Sequence, residues 1–270
     1  DKYKGIPTGF RLLDTVLTGL GRGDLIILAA RPGMGKTAFA LNIAANVALR
    51  GKKTVAIFSL EMSREQLMNR LFASEGSIDS RRLLTGELST EDWGKVADLS
   101  PLFGAAPLYM DDTAGITVAE MKAKLRRVRN LGLVVIDYLQ LMSTGRRSDN
   151  RVQEVSEITR SLKIMAKELN VPVIALSQLS RAAEKTAGRS DHRPQLSDLR
   201  DSGSIEQDAD VVFLVHRPDA YDKEDRPGEA DIIMAKHRNG PTDTFNLAFL
   251  GAYSKFKDMP QDYQSQQEAV

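Results

Sequence analysis

The chain has 270 residues, 42% of them hydrophobic and 27% charged, which suits one sizeable domain with a buried core. Its 37 basic and 36 acidic side chains leave a net charge of +1, far from the balance of a dedicated nucleic-acid binder, so any nucleic-acid contact must be local or shared between subunits. There is no cysteine, no run of about 18 apolar residues and no leader-like opening, which argues against a disulfide framework and a membrane span and for a reducing, cytoplasmic setting.

Short apolar runs alternate with helical stretches. Strands are predicted at Leu25–Ala30, Thr54–Leu60, Leu108–Asp111, Leu133–Asp137, Val171–Ser177 and Asp210–His216, most of them apolar throughout, as strands covered on both faces are. Between them, Thr37–Arg50 reads as a helix. Ser63-x-x-Gln66 and Thr117-x-x-Glu120 read as capping boxes opening two more. Arg151–Leu169 carries Val155, Ile158, Leu162, Met165 and Leu169 at steps of three and four, one face of a long helix. Ala230–Lys236 and Thr244–Leu250 flank the turn His237-Arg238-Asn239-Gly240-Pro241 and read as an antiparallel hairpin at a sheet edge. The pattern predicts an α/β fold with a mainly parallel central sheet, flanking helices and an antiparallel edge hairpin. Residues 143–150, 182–194 and 218–228 read as loops; the domain is expected to run to residue 257, with 258–270 a disordered polar tail.

The segment with the most chemistry is Ala30-Arg31-Pro32-Gly33-Met34-Gly35-Lys36-Thr37, an apolar strand feeding a glycine turn that ends in Gly-Lys-Thr before an alanine-rich helix starting near Ala38. Backbone N–H groups of such a turn and the helix N-terminus cradle phosphate, Lys36 reaches the β- and γ-phosphates, and the Thr37 hydroxyl ligates Mg²⁺. The strict pattern has glycine where this chain has Ala30. Gly33-x-Gly35-x-x-Ala38 also fits a dinucleotide fingerprint, with Glu61 as the ribose acid. Lys36 and Thr37 favour a triphosphate with metal, because a pyrophosphate held by amides needs neither.

Three other strand ends complete a nucleotide-hydrolysing site. Asp137 ends Val134-Val135-Ile136 and suits a metal carboxylate; a plain turn aspartate is the alternative. Glu61 follows the second strand and is placed to polarise water, or simply to open a helix. Gln178 follows Val171–Ser177 on the same rim and can sense the γ-phosphate, or be a polar strand end. Lys236 and Arg238, at the hairpin tip, read first as a solvated basic turn; from a sheet edge they reach a neighbouring subunit more easily than their own nucleotide. Arg126, Arg127 and Arg129 read as a solvated helix face. The loop cations Arg146, Arg147, Arg181, Lys185, Arg189 and Arg193 can follow a phosphate backbone, and Trp93 is expected in packing. The isolated histidines His192, His216 and His237 lack metal-ligand spacing, and no serine-elbow or zinc-protease motif occurs.

Together, residues 21–37, Ser-Leu-Glu-Met-Ser at 59–63, Val-Ile-Asp-Tyr-Leu-Gln-Leu at 135–141, Ala-Leu-Ser-Gln-Leu-Ser-Arg at 175–181, the 199–210 segment and Lys-His-Arg-Asn-Gly-Pro at 236–241 resemble the C-terminal motor domain of DnaB-type replicative DNA helicases, within the RecA-like ATPases. The likeness spans about Gly5 to Lys257, and Ala30 is usual in that family. It implies a homohexameric ring that hydrolyses ATP with Mg²⁺ at subunit interfaces and moves 5′→3′ on single-stranded DNA, with helicase loader and primase as partners of the full-length protein. It implies phosphate binding by residues 31–38, metal at Thr37 and Asp137, water activation by Glu61 and coupling by Gln178. It turns Lys236 and Arg238 into cations acting in trans, and makes Arg200, Asp201 and Gly203 part of a strand-gripping loop, with Arg70 approaching a phosphate. The family also carries an N-terminal domain and linker helix, so this chain is expected to be a fragment. The other class considered is a RecA-like strand-exchange or clock-type ATPase that uses ATP as an assembly switch.

Overall fold

The computed structural model describes residues 3–142, 144–145, 149–180, 191–202 and 205–261, with the backbone alone at 200–202. Nine strands form one sheet: β1 Leu25–Ala30, β2 Thr54–Ser59, β3 Leu108–Asp111, β4 Leu131–Asp137, β5 Val173–Gln178, β6 Val211–His216, β7 Glu229–His237, β8 Asp243–Leu250 and β9 Lys255–Asp258. Their order is β3-β2-β4-β5-β1-β6-β7-β8-β9. From β3 to β6 every pairing is parallel; β6 to β9 are joined antiparallel.

The described helices are α1 Arg11–Leu17, α2 Lys36–Ala45, α3 Arg64–Gly76, α4 Ser80–Thr85, α5 Thr90–Ala105, α6 Val118–Leu125, α7 Arg151–Leu169 and the one-turn α8 Ile205–Asp208. Alternation along β1 divides the core. Ile26, Leu28 and Ala30 join α2 on one face, and Leu25, Ile27 and Ala29 join α7 on the other. Both faces are covered, which is why these strands are apolar at every position. Ser63 caps α3 through a reciprocal box with Gln66. Thr117 caps α6 by accepting the Glu120 N–H, but its hydroxyl donates to the Glu120 carboxylate, so that box is not reciprocal.

Three features differ from expectation. The β7–β8 hairpin is not the last edge, because β9 pairs outside β8. β9 is secured by tertiary contacts: the Phe256 N–H donates to Asn42 Oδ1 of α2 at 2.7 Å, and the Phe256 ring packs edge-on to Phe39 at 5.2 Å. Trp93 on α5 is 57% exposed and packs little. α4 escaped the sequence reading because it is only 6 residues long and buries none of them.

Candidate nucleotide-binding site

Parallel strands deliver their carboxyl ends to one rim, and the order places β4, β5, β1 and β6 side by side there. Between β1 and α2 the chain turns through Gly33 at φ +78° and Gly35 at φ +96°, left-handed values that favour glycine. A Cβ on Gly35 would lie 3.0 Å from the Phe256 ring, so β9 walls the turn from behind. No side chain caps α2 at Gly35, leaving its first-turn N–H groups for an anion. Of the residues assigned to phosphate, Pro32 and Gly33 are exposed and Met34 and Ala38 are buried. Arg31 donates from Nη1 to the Leu179 carbonyl at 2.9 Å, tying the turn to β5.

Lys36, Thr37 and Asp137 meet. The Thr37 hydroxyl donates to Asp137 Oδ2 at 3.0 Å, and Lys36 Nζ lies 3.9 Å from Oδ1 and 4.9 Å over the Tyr138 ring. Asp137 is 2% exposed, and its Oδ1 has no hydrogen-bond partner. Burial pushes its carboxyl above the usual range and Glu61 adds to this; Lys36, the Thr37 hydroxyl and Arg70 oppose it. An unsatisfied buried carboxylate oxygen beside a hydroxyl is a hard, anionic donor set of the kind Mg²⁺ takes when phosphate completes its shell.

Glu61 stands exposed just beyond β2, where Ser59 pairs with Asp137 and the Leu60 N–H donates to the Asp137 carbonyl at 2.7 Å. Gln178 is the last residue of β5 and pairs with Ala30 at the start of the turn. Gln140 fixes that strand end. Its Nε2 donates to Ser177 Oγ at 2.9 Å and the Gln178 carbonyl at 3.2 Å, while its Oε1 accepts the Gln178 N–H. Arg70 on α3 is close enough for its charge to act on Asp137.

Lys236 and Arg238 stand elsewhere. β7 runs antiparallel, so His237 pairs with Val211 at the start of β6, level with the start of β1. That end lies about 17 Å, a strand's length, from the phosphate turn of the same chain. The backbone of Arg200 and Asp201 lies in a 3₁₀ turn, Leu196–Ser202; their side chains, Gly203 and most of the loop cations noted above lie outside the described residues.

Reading strand ends on β2, β4 and β5 but not β6 missed Arg217. It follows β6 directly, donates from Nη1 to the Gly33 carbonyl at 3.2 Å and lies 4.3 Å over the Phe249 ring. The signal was available, since Asp210–His216 was already a predicted strand.

The model for the DnaB-like helicase C terminal domain matches residues 5–258. The chain belongs to that family. It is 55% identical over 260 residues to the replicative DNA helicase DnaC of Bacillus subtilis (strain 168), covering 94% of this chain and 57% of that protein. It is 53% identical to the replicative DNA helicase DnaB of Geobacillus stearothermophilus, covering 97% and 58%. The chain thus spans little more than half the length of these curated relatives. Among solved structures, an ATPase domain superposes with TM-score 0.91 at 40% identity, covering 96% of this chain and 93% of that one. A DnaB-like replicative helicase, described with its interactions with primase, also gives TM-score 0.91 at 40% identity, covering 96% of this chain and 63% of that one. The RadB recombinase, at TM-score 0.58 and 17% identity over 94% of this chain and all of its own, shares the fold. Among the described residues no helix is long and apolar enough to cross a membrane.

Proposed function

We propose that this chain is the ATP-hydrolysing motor of a replicative DNA helicase, working in a homohexameric ring that moves 5′→3′ on single-stranded DNA and unwinds duplex by excluding the other strand. Membership of the DnaB-like family supports the class of activity. The observation that carries the chemistry is the Thr37–Asp137 hydrogen bond beside Lys36, with one carboxylate oxygen left unpaired. In this reading the turn N–H groups and Lys36 bind the β- and γ-phosphates, and Thr37 and Asp137 hold Mg²⁺. The ion, when bound, neutralises charge on those phosphate oxygens. Glu61 takes a proton from the attacking water. Gln178, fixed by Gln140 beside Ala30, registers loss of the γ-phosphate.

Lys236 and Arg238, a strand's length from their own turn, serve the pocket of a neighbouring subunit, where a trans cation is worth about 10³–10⁵ in kcat. Arg200, Asp201 and Gly203 grip the strand. A loader and primase are the expected partners of the longer protein.

The test is ATP hydrolysis with and without single-stranded DNA, measured on the full-length protein in a defined oligomeric state. Strong stimulation in a sixfold ring is expected; hydrolysis at full rate by an isolated subunit, indifferent to DNA, refutes the reading. For the trans cations, rings mixed from Arg238→Ala and Lys36→Ala subunits should hydrolyse ATP where neither parent does.

A further inference from the structure

The hairpin-tip cations are held. Asp210, just before β6, is 3% exposed, and its two carboxylate oxygens have separate duties. Oδ2 accepts the Leu25 N–H at 2.8 Å and Lys163 Nζ at 2.6 Å, anchoring β1 and α7. Oδ1 accepts Arg238 Nη1 at 2.8 Å. The Asp210 carbonyl takes the Arg238 N–H at 2.9 Å, fixing the residue at both backbone and side chain. The turn of α8 supplies the rest: the Gln207 carbonyl accepts Arg238 Nη2 at 3.1 Å, and the Glu206 carbonyl accepts Lys236 Nζ at 2.5 Å.

Anchoring the sheet needs only Oδ2. The second oxygen, and two carbonyls of the one-turn α8, go to the two cations. Lys163 lies 4.0 Å from Asp24 as well as beside Asp210, so Lys163 and Arg238 are matched by two carboxylates. The Arg238 side chain is 45% exposed while that of Asp210 is 5% exposed, so the guanidinium is gripped from beneath and keeps free N–H groups facing out. A long cation on a hairpin turn otherwise samples many rotamers, and ordering it in advance removes that cost from the catalytic encounter.

We propose that Asp210, assisted by the Glu206 and Gln207 carbonyls, is the positioning group that pre-sets Arg238 and Lys236 for the nucleotide of the neighbouring subunit. The proposal rests on the reading that these cations act in trans. Asp210 touches no nucleotide; it acts through Arg238.

The experiment uses full-length rings and ATP hydrolysis without DNA. Asp210→Asn is expected to lower kcat about 10- to 100-fold, as a cation misplaced by an ångström does, with KM for ATP nearly unchanged because its own pocket is intact. Mixed with Lys36→Ala subunits, whose pockets are dead but whose Asp210–Arg238 pairs are whole, Asp210→Asn subunits should regain hydrolysis. A general folding defect would not be rescued in this way. Arg238→Ala mixed with Lys36→Ala is the control. If the control recovers activity while Asp210→Asn alone turns over at the wild-type rate, or is slow and not rescued, the positioning role is overturned. If the control does not recover, the trans reading falls and the positioning role with it. Should Asp210→Asn give no folded ring, Asp210→Glu, which keeps the charge beside Lys163, is judged by the same criteria.

Discussion

Replacing Asp137 by asparagine separates stability from ligand binding. In the free protein two effects oppose each other. Removing a buried charge whose carboxyl is already pushed above its usual range relieves its desolvation, but it also takes the counter-charge from Lys36, 3.9 Å away. The new amide keeps an oxygen for the Thr37 hydroxyl, but its N–H groups occupy the place of Oδ1, which has no partner, at a cost of about 1–3 kcal/mol. The terms oppose each other, so the melting temperature without ligand should move little, at roughly 2–4 °C per kcal/mol of their difference. A ligand at a hundred times its Kd adds about 2.7 kcal/mol, or roughly 5–10 °C. Wild type should show that rise with Mg²⁺ and a non-hydrolysable ATP analogue. Asp137→Asn should show little of it, because the anionic oxygen facing the metal is gone. Thermal unfolding with and without analogue, in Mg²⁺ and in chelator, reads both quantities. A wild-type rise in Asp137→Asn removes Asp137 from the metal site.

Glu61→Gln should bind nucleotide normally and lose about 10²- to 10⁴-fold in turnover, the usual worth of a general base; unimpaired turnover excludes that role. Gly35→Ala should destabilise more than Gly33→Ala. Both pay about 1–2 kcal/mol for a left-handed φ, but only at 35 does the new Cβ press on Phe256, adding about 1–3 kcal/mol. Denaturant unfolding giving the reverse order would be inconsistent with the packing of β9 on the turn. His216 is buried, and burial first, then the charges of Arg193 and Arg226, push its imidazole below the usual range against the pull of Asp231 and Asp191. The fold therefore favours neutral His216. Its stability is present above the unfolded value of about 6.5 and is lost as pH falls through the depressed folded value. His216→Gln should lose less stability than wild type between pH 7.5 and 5.5, and equal losses would refute the assignment.

The parts of the site readable in advance are those whose geometry is local. The Gly33–Thr37 turn needs only its own glycines and the helix that follows. Asp137 and Gln178 stand at the rim because parallel strands share a direction, so an acid or amide ending one strand lands beside the turn ending another. Ser63 with Gln66 is a four-residue device. β9 is the opposite case: Lys255-Phe256-Lys257 is short and mostly charged, and besides its pairing with β8 it is held by Asn42 and Phe39, more than 200 residues earlier. No local pattern carries that information.

Lys236 and Arg238 fall between these cases. The hairpin was legible, but its consequence was not, because it depends on which strand the hairpin joins and in which direction. Had β7 run parallel to β6, its end would have pointed two cations at the rim that holds Lys36. Running antiparallel, it carries them to the far rim, where Asp210 and α8 hold them and their own phosphate turn is out of reach. The same reversal that completes the sheet therefore keeps these cations from their own phosphate turn, and the proposed ring, in which every pocket would meet a neighbour's hairpin, is the arrangement that would put them to use.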